Sequence, residues 1–212
     1  MTLVSVIVLA GGHSARMGRN KALEMIGGRT LLQRVLDAVR PLTDEVLLVT
    51  AKRQQDASWL PSGRGIRHVV DALPGEGPLV GVCSGLLAAR HPLCIAVACD
   101  MPFLNAALLR HMTGLARTHD AVVPRVAGKA QALHAVYARS CIGPMRAALE
   151  QGKRSLRDTL DTLDVRWFDT SEMQRYDPRL LSCFSVNTPE DLERAKELAL
   201  TDAVAPKAKD WR

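Results

Sequence analysis

The sequence is poor in aromatic residues and has no long apolar run. Its 212 residues include only three Trp, two Tyr and three Phe. Proteins that hold single-stranded nucleic acid stack the bases on such side chains, so we expect no nucleic-acid partner. No apolar stretch approaches the roughly 20 residues that a helix needs to cross a bilayer, and we expect no membrane partner either.

Cysteine is also scarce, with five residues, an odd number, and no C-x-x-C pair. This pattern fits neither a disulfide framework nor a zinc site. Cys94 and Cys99 lie in or beside an apolar run, and we expect them to be reduced packing residues of the core. The segment MTLVSVIVLA has no basic flank and leads directly into a glycine-rich loop. These features favour a strand over a signal peptide and predict a cytoplasmic protein.

Charge of one sign is only moderately in excess. The chain has 28 Lys and Arg against 22 Asp and Glu, which gives a formal net charge of +6. The cations are spread along the sequence and form no dense basic run. A basic balance of this kind fits a phosphate-rich small substrate, or it has no functional meaning.

Short runs that are apolar on both faces alternate with amphipathic segments in the first half of the chain. The apolar runs cover residues 3–10, 45–50, 66–70 and 93–99. They are typical of parallel strands that helices cover on both sides. Helical spacing between them is shown by two sets of residues: Leu31, Leu32, Val35, Leu36 and Val39, then Leu104, Leu108, Leu109, Met112 and Leu115. The alternation predicts an α/β fold, a single Rossmann-like doubly wound, mostly parallel sheet with helices on both faces.

The second half of the chain is less regular. It predicts strands over residues 121–124, 131–137 and 165–169, the last at a sheet edge, and helices over 139–151 and 155–163. A further helix is predicted to start at Pro189, with Thr188 as its N-cap and Asp191 closing a capping box. We expect residues 1–200 to form one domain, and residues 201–212, which show no periodicity, to form a flexible tail.

The stretch LAGGHSARMGRNKAL, from Leu9 to Leu23, combines glycine with cations directly after the first predicted strand. Gly11 and Gly12 allow backbone N–H groups to approach a ligand closely, and Arg16, Arg19 and Lys21 add positive charge. This composition indicates a polyphosphate site. Five residues separate Gly12 from Gly18 and no G-x-G-x-x-G is present, so the loop belongs to neither of the two best-known phosphate-binding types.

Two acids follow later strands of the predicted sheet. Asp71 comes after the third apolar run and Asp100 after the fourth. Ligands of open α/β sheets collect at the carboxyl ends of the strands, where both acids and the glycine-rich loop would meet. Asn105 is better placed to cap the following helix, which leaves Asp100 free. A carboxylate beside phosphates requires a hard cation between them, so we interpret Asp100 as a Mg²⁺ ligand.

Several blocks of the sequence resemble one enzyme family. LAGGHSARMGRNKAL, VVDALPGEGPLVGV, ACDMPFL, QALHAVY and SVNTPEDL occur in the order found in nucleotidyltransferases that attach a nucleotide to molybdenum cofactor. The resemblance covers about residues 3–199 and is closest to the molybdenum cofactor guanylyltransferases. Relatives that use CTP tend to have alanine in place of Gly11, so the double glycine favours GTP.

This resemblance implies a fold of the nucleotide-diphospho-sugar transferase type and a specific reaction. GMP would pass from GTP to the terminal phosphate of molybdopterin, with Mg²⁺ as cofactor and pyrophosphate as the second product. The attacking phosphate is already anionic, so no general base is expected. Molybdoenzymes or their chaperones are further partners that the resemblance suggests.

The resemblance also implies a role for individual residues. The nucleotide would be bound by Leu9, Ala10, Gly11, Gly12, Lys21, Asp71 and Asp100, with Asp100 also holding the metal. Arg16, Lys21 and Asp100 would be the catalytic residues. Two departures from the family pattern stand out: Asn20 replaces the usual aspartate before the lysine, and TAKR over residues 50–53 lacks an asparagine that some members place against the nucleotide.

Other residues are weaker candidates with two interpretations each. Gly81 and Gly85 would let a helix approach either the nucleotide base or the sheet. Gln131 and His134 belong to a block that family members place near the pterin. Arg154 and Arg157 would either meet a pterin phosphate or lie on a solvated helix face.

Three alternative functions stay open at the level of sequence. A cytidylyltransferase acting on the same cofactor would use the same loop and metal. A sugar-phosphate nucleotidyltransferase would commonly carry extra sugar-binding segments, which we do not find. A catalytically silent cofactor-delivery subunit would have no need of Lys21, Asp71 and Asp100, which are all present.

Overall fold

The computed structural model describes residues 3–11, 20–52, 58–71, 73 and 75–204, and only the backbone of residues 202–204. Gly12, His13, Arg16 and Arg19 of the predicted phosphate loop lie outside the described residues. The predicted tail starts at residue 201, but the last helix extends through Val204, and the rest of the tail lies outside the described residues.

Six helices and ten strands are described, with short 3₁₀ turns between some of them. The strands are β1 (Val4–Leu9), β2 (Met25–Ile26), β3 (Arg29–Thr30), β4 (Glu45–Thr50), β5 (Ile66–Val70), β6 (Leu93–Ala98), β7 (Ala121–Val126), β8 (Lys129–Ala130), β9 (His134–Ala138) and β10 (Val165–Asp169). The helices are α1 (Leu31–Val39), α2 (Pro78–Ala88), α3 (Ala106–Leu115), α4 (Ile142–Glu150), α5 (Thr170–Gln174) and α6 (Pro189–Val204). No helix among these residues is long and apolar enough to cross a bilayer.

The main sheet has eight strands in the order β10-β7-β9-β6-β1-β4-β5, with β8 paired to β7. Strand β1 runs parallel to both β4 and β6, and β4 runs parallel to β5. Strand β9 is antiparallel to its neighbours β6 and β7. The predicted mostly parallel sheet is therefore confirmed, and the four apolar runs of the first half are β1, β4, β5 and β6.

Helices cover both faces of this sheet because the central strands are apolar on both sides. Val4, Val6 and Val8 of β1 pack in one core cluster with residues of α1 and α3. Ile7 packs in the opposite cluster with residues of α2 and α4. Strand β5 is the exception: it lies at the sheet edge and its side chains are half-buried or exposed. The expectation of burial on both faces is wrong for β5, the terminal strand of the described sheet.

Two glycines let α2 pack directly on β1. A Cβ atom placed on Gly81 would lie 2.9 Å from Cδ2 of Leu9, and one on Gly85 would lie 2.8 Å from three carbons of Ile7. Such distances are too short for carbon atoms in contact. These contacts show that both glycines pack against the sheet, and Gly81 also lines the cleft at the carboxyl ends of the strands.

Two hairpins were not predicted from the sequence. Strands β2 and β3 are joined by Gly27 and Gly28, with φ of +57° and +78°, and β7 and β8 by Ala127 and Gly128, with φ of +47° and +76°. Both turns need the left-handed backbone conformation that a two-residue hairpin favours. The Gly-Gly pair in IGGR was a usable signal for the first hairpin.

Two predicted elements of the second half need correction. The strand predicted over residues 131–137 begins only at His134, because the His134 N–H donates to the carbonyl of Gln131 (2.9 Å) and closes a turn. The helix predicted over residues 155–163 is a 3₁₀ turn over Arg157–Thr162. The helix predicted over 139–151 is present as α4, which follows a short 3₁₀ turn.

The cysteines occupy the places expected of packing residues. Cys83, Cys94, Cys99 and Cys141 are buried, Cys183 is half-buried, and all are free thiols. Burial raises the pKa of the Cys94 and Cys99 thiols to about 12, so neither is ionised near neutral pH.

Candidate active site

A cleft of about 410 Å³ opens at the carboxyl ends of the parallel strands. It is lined by five of the eight predicted site residues: Leu9, Gly11, Lys21, Asp71 and Asp100. Of the others, Gly12 and Arg16 lie outside the described residues. Ala10 is buried, and its N–H donates to the carbonyl of Val49 at 2.9 Å. A ligand therefore cannot use that N–H without breaking a bond of the sheet.

The Lys21 side chain is directed into the cleft by a short 3₁₀ turn, Lys21–Leu23. Asn20 is the N-cap of this turn, and its Oδ1 accepts a hydrogen bond from the N–H of Ala22 at 3.1 Å. An amide oxygen caps a helical turn as well as a carboxylate does. The replacement of aspartate by Asn20 is therefore compatible with the local structure. The Lys21 ammonium forms an ion pair with Oδ2 of Asp100 and donates to Oδ1 of Asn187 at 3.2 Å.

Asp100 lies in the turn after β6 and is buried. Its backbone carbonyl accepts a hydrogen bond from the N–H of Val186 at 2.9 Å. Asn105 caps α3 by accepting from the N–H of Leu108 at 3.0 Å, as expected, so Asp100 is not needed as a cap. Oδ1 of Asp100 is buried and has no hydrogen-bond partner among the described residues. An unpaired buried carboxylate oxygen is costly unless a ligand or cation completes it.

Asp71 follows β5 and is tied to β4 by its N–H, which donates to the carbonyl of Thr50 at 3.0 Å. Its Oδ1 is buried without a partner in the described part of the chain. Desolvation by burial raises the pKa of this carboxyl to about 6, against a lowering contribution from the Ser84 hydroxyl. A donor group of a bound ligand would favour the ionised form, so Asp71 is suited to contact a nucleotide.

The donor set of the cleft fits a magnesium ion shared with phosphates. No group of three or more His, Cys, Asp or Glu side chains arranged to hold a metal is found among the described residues. Mg²⁺ does not require such a cage, because it usually binds one or two carboxylates, substrate phosphates and water. Asp71 and Asp100 both line the cleft with an unpartnered carboxylate oxygen, and Asp100 is the more buried of the two.

The beginning of α2, the helix predicted to contain Gly81 and Gly85, also borders the cleft. Gly77 is the N-cap, with φ of +107°, and Pro78 is the first helical residue. The first N–H groups of a helix carry partial positive charge and favour anions. A Gly-Pro pair in front of an apolar helix was the signal that could have indicated this helix start.

A second cleft of about 430 Å³ adjoins the first and shares Pro78, Ala98, Asp100 and Leu133 with it. Its polar lining includes Gln131, Ser155, Arg157, Ser185 and Asn187. Of these, Gln131 and Arg157 were candidates from the sequence, whereas Ser155 and Ser185 were missed. The turn over residues 131–133 brings Gln131 to this cleft because the chain leaves the sheet there.

His134 and Arg154, the other two candidates, do not line either cleft. His134 is fully buried, with Nδ1 at 3.4 Å from Sγ of Cys183, and desolvation lowers its pKa to about 4. Arg154 is exposed, and its guanidinium lies against Gly75, a glycine with φ of +112°. His134 is thus a buried, neutral residue of β9 that contacts Cys183 and does not reach either cleft.

Comparisons with known proteins agree with this architecture. Residues 6–165 match the family model of the MobA-like NTP transferase domain. The chain is 34% identical over 198 residues to a molybdenum cofactor guanylyltransferase of Desulfosudis oleivorans, covering 92% of this chain and 96% of the relative. It also resembles a crystal structure of molybdopterin-guanine dinucleotide biosynthesis protein A from Archaeoglobus fulgidus, with a TM-score of 0.81, 29% identity, and coverage of 93% of this chain and 99% of the other.

More distant structures share the fold alone. One is the 2-C-methyl-D-erythritol 4-phosphate cytidylyltransferase of Thermus thermophilus, with a TM-score of 0.70, 21% identity, and coverage of 94% of this chain and 100% of the other. Such neighbours confirm the predicted nucleotide-diphospho-sugar transferase fold. Because the family model covers most of the chain and the guanylyltransferase relative nearly all of it, the chain belongs to the MobA-like NTP transferase family.

Proposed function

We propose that this protein transfers GMP from GTP to the terminal phosphate of molybdopterin, forming the guanine dinucleotide cofactor and pyrophosphate. The observation that carries this proposal is the pair of adjoining clefts that share Asp100 at the carboxyl edge of the sheet. A nucleotidyl transfer needs two anionic substrates side by side with a charged group at their junction. The guanylyltransferase relative and the MobA-like family match identify which substrates these are.

We place GTP in the first cleft and molybdopterin in the second. The backbone of Leu9, Ala10 and Gly11, together with Gly12, would surround guanosine and the phosphates. Asp71 would accept a hydrogen bond from the nucleotide, and the first turn of α2 would face its phosphates. Arg157 and Gln131 border the second cleft, where an anionic pterin phosphate would lie.

The reaction requires charge neutralisation rather than proton removal. A phosphate oxygen of molybdopterin attacks the α-phosphorus of GTP, a new P–O bond forms, and the bond to the leaving pyrophosphate breaks. The attacking oxygen is already anionic near neutral pH, so the chain need not supply a general base. Lys21 would stabilise negative charge that develops on the leaving group. We assign the same role to Arg16.

A divalent metal completes this arrangement. Enzymes of this NTP transferase family generally use a divalent metal ion. We propose Mg²⁺, held by Asp100 through its unpartnered carboxylate oxygen. Bound there, Mg²⁺ would neutralise phosphate oxygens that would otherwise be repelled by the two carboxylates.

The wider setting is also a proposal. GTP and molybdopterin are the substrates that the guanylyltransferase activity implies. We propose further that the protein acts in the cytoplasm, that molybdoenzymes or their chaperones receive the product, and that residues 1–200 form the nucleotidyltransferase domain, followed by a flexible tail.

Turnover with competing nucleotides tests the proposed function. Purified protein with Mg²⁺ and molybdopterin should release pyrophosphate and guanine dinucleotide product from GTP and not from CTP. Asp100→Asn keeps the size of the side chain but removes its charge, and should lower turnover at least about 100-fold. Asp37→Asn, at an exposed carboxylate paired with Arg29, is the matched control and should retain activity.

The other outcomes distinguish the alternatives. Product from CTP and none from GTP would identify a cytidylyltransferase. Binding of nucleotide without product would identify a cofactor-delivery subunit. Full activity of Asp100→Asn would contradict the assignment of this residue to the metal.

A further inference from the structure

The Lys21 ammonium is shared between two acceptors that come from distant parts of the chain. It forms an ion pair with Oδ2 of Asp100, at the end of β6, and donates to Oδ1 of Asn187 at 3.2 Å. Asn187 immediately precedes the N-cap of α6. A lysine ammonium has three N–H donors on a flexible stem, so its direction depends on the acceptors around it.

Asn187 is itself held in a fixed position relative to Asp100. Its backbone N–H donates to Oδ2 of Asp191 at 2.9 Å, within the capping box at the start of α6. The preceding residue, Val186, is buried and donates its N–H to the carbonyl of Asp100 at 2.9 Å. These backbone hydrogen bonds fix the chain around Asn187 next to Asp100, so the two side chains lie on either side of the Lys21 ammonium.

The chemistry of the two acceptors differs in a way that matters for catalysis. A carboxylate attracts the ammonium strongly in a partly buried site, and Lys21 is paired with Asp100 there. A neutral amide oxygen can hold the same ammonium without adding negative charge near the phosphates.

We propose that Asn187 is a positioning residue for Lys21: its amide oxygen holds the ammonium, which is also paired with Asp100, on the side of the first cleft that adjoins the second. This inference rests on the proposed function, since Lys21 is the group that would contact GTP. Asn187 does not act on the reacting atoms in this scheme. Its effect passes through Lys21 and must vanish when Lys21 is absent.

A double-mutant cycle tests this dependence. The Kd for GTP with Mg²⁺, without molybdopterin, is measured by titration calorimetry for wild type, Asn187→Ala, Lys21→Met and the double variant. Loss of one hydrogen bond to a charged donor should raise the Kd of Asn187→Ala by about 3-fold to 10-fold. In the Lys21→Met background the same substitution should change the Kd less than about 2-fold.

A matched control separates positioning from general loosening of the structure. Asn105→Ala also removes a helix-capping asparagine, but Asn105 bonds to Leu108 and Tyr176. The Asn105→Ala substitution should lower the melting temperature and leave the Kd for GTP unchanged. Circular dichroism confirms in parallel that each variant is folded.

Each remaining outcome overturns a specific statement. If Asn187→Ala raises the Kd equally with and without Lys21, or leaves it unchanged, Asn187 does not act through Lys21. A change confined to the KM for molybdopterin would assign Asn187 to the acceptor cleft and contradict positioning. Failure of the wild-type protein to bind GTP would overturn the proposed function together with this inference. If the wild type binds GTP tightly but the effects of Asn187→Ala and Lys21→Met on the Kd are additive, only the inference is overturned.

Discussion

At the scale of single residues, the ionisation of Asp71 links stability of the free protein to pH. Burial raises the pKa of this carboxyl from 3.8 to about 6. Between these two values the folded state holds more protons than the unfolded state, so the contribution of Asp71 to the free energy of unfolding falls as pH rises. Above pH 6 the folded protein carries an unfavourable buried charge that a ligand can relieve.

Asp71→Asn should therefore stabilise the nucleotide-free protein at pH 8 while weakening its affinity for GTP. The gain in melting temperature should shrink as the pH falls toward 4, where wild-type Asp71 is protonated. Thermal melts from pH 4.5 to 8, with and without GTP, measure both effects. The account is contradicted if the melting temperature of the variant is below that of wild type at pH 8. It is also contradicted if the gain in melting temperature is as large at pH 4.5 as at pH 8, because burial would then not set the pKa of Asp71.

Lys21, Asp71 and Asp100 were predicted from sequence as site residues, and all three line the cleft. Asn187 could not be tied to Lys21 in the same way, since 166 positions separate the two and no local pattern connects them. The same limit applies to Ser155 and Ser185. Their place in the second cleft depends on how turns outside the central strands fold back over the sheet.

At the scale of secondary-structure elements, the contact between α2 and β1 lies beside the cleft at the carboxyl ends of the strands. Leu9, which lines the cleft, is contacted by Gly81, and Ile7 by Gly85 one turn further along α2. Any side chain at Gly85 would push the helix away from the sheet. The glycines of α2 are therefore required by packing, even though glycine is unfavourable inside a helix.

Gly85→Ala should destabilise the protein by about 1–3 kcal/mol, because the added methyl group overlaps a fully buried isoleucine. Gly114→Ala in α3 is the matched control, since a Cβ there has nothing within 4 Å. It should leave stability unchanged or raise it by up to about 1 kcal/mol through helix propensity. Urea unfolding measures both values, and equal stability of the two variants would contradict the close packing of α2 on β1.

Sequence patterns located the long elements and missed the short ones. The strands β1, β4 and β6 and the helices α1, α3 and α6 follow directly from apolar period and capping residues. The hairpins at Gly27–Gly28 and Ala127–Gly128 depend on left-handed backbone, and the turn over residues 131–133 depends on a single local hydrogen bond. Apolar periodicity contains no information about either.

At the scale of the whole molecule, the parallel order of β5, β4, β1 and β6 brings residues from three separate segments to one edge of the sheet. Gly11 and Lys21 follow β1, Asp71 follows β5 and Asp100 follows β6. The crossover helices α1 and α2 pack on opposite faces of the sheet. The position of the cleft is therefore a consequence of topology.

The most direct test of the central claim is a crystal structure of the protein with GTP and Mg²⁺. Our account predicts the triphosphate beside Lys21 in the cleft at the carboxyl ends of the parallel strands, with the metal bound to Asp100. Nucleotide bound elsewhere, or a metal without Asp100 among its ligands, would contradict it.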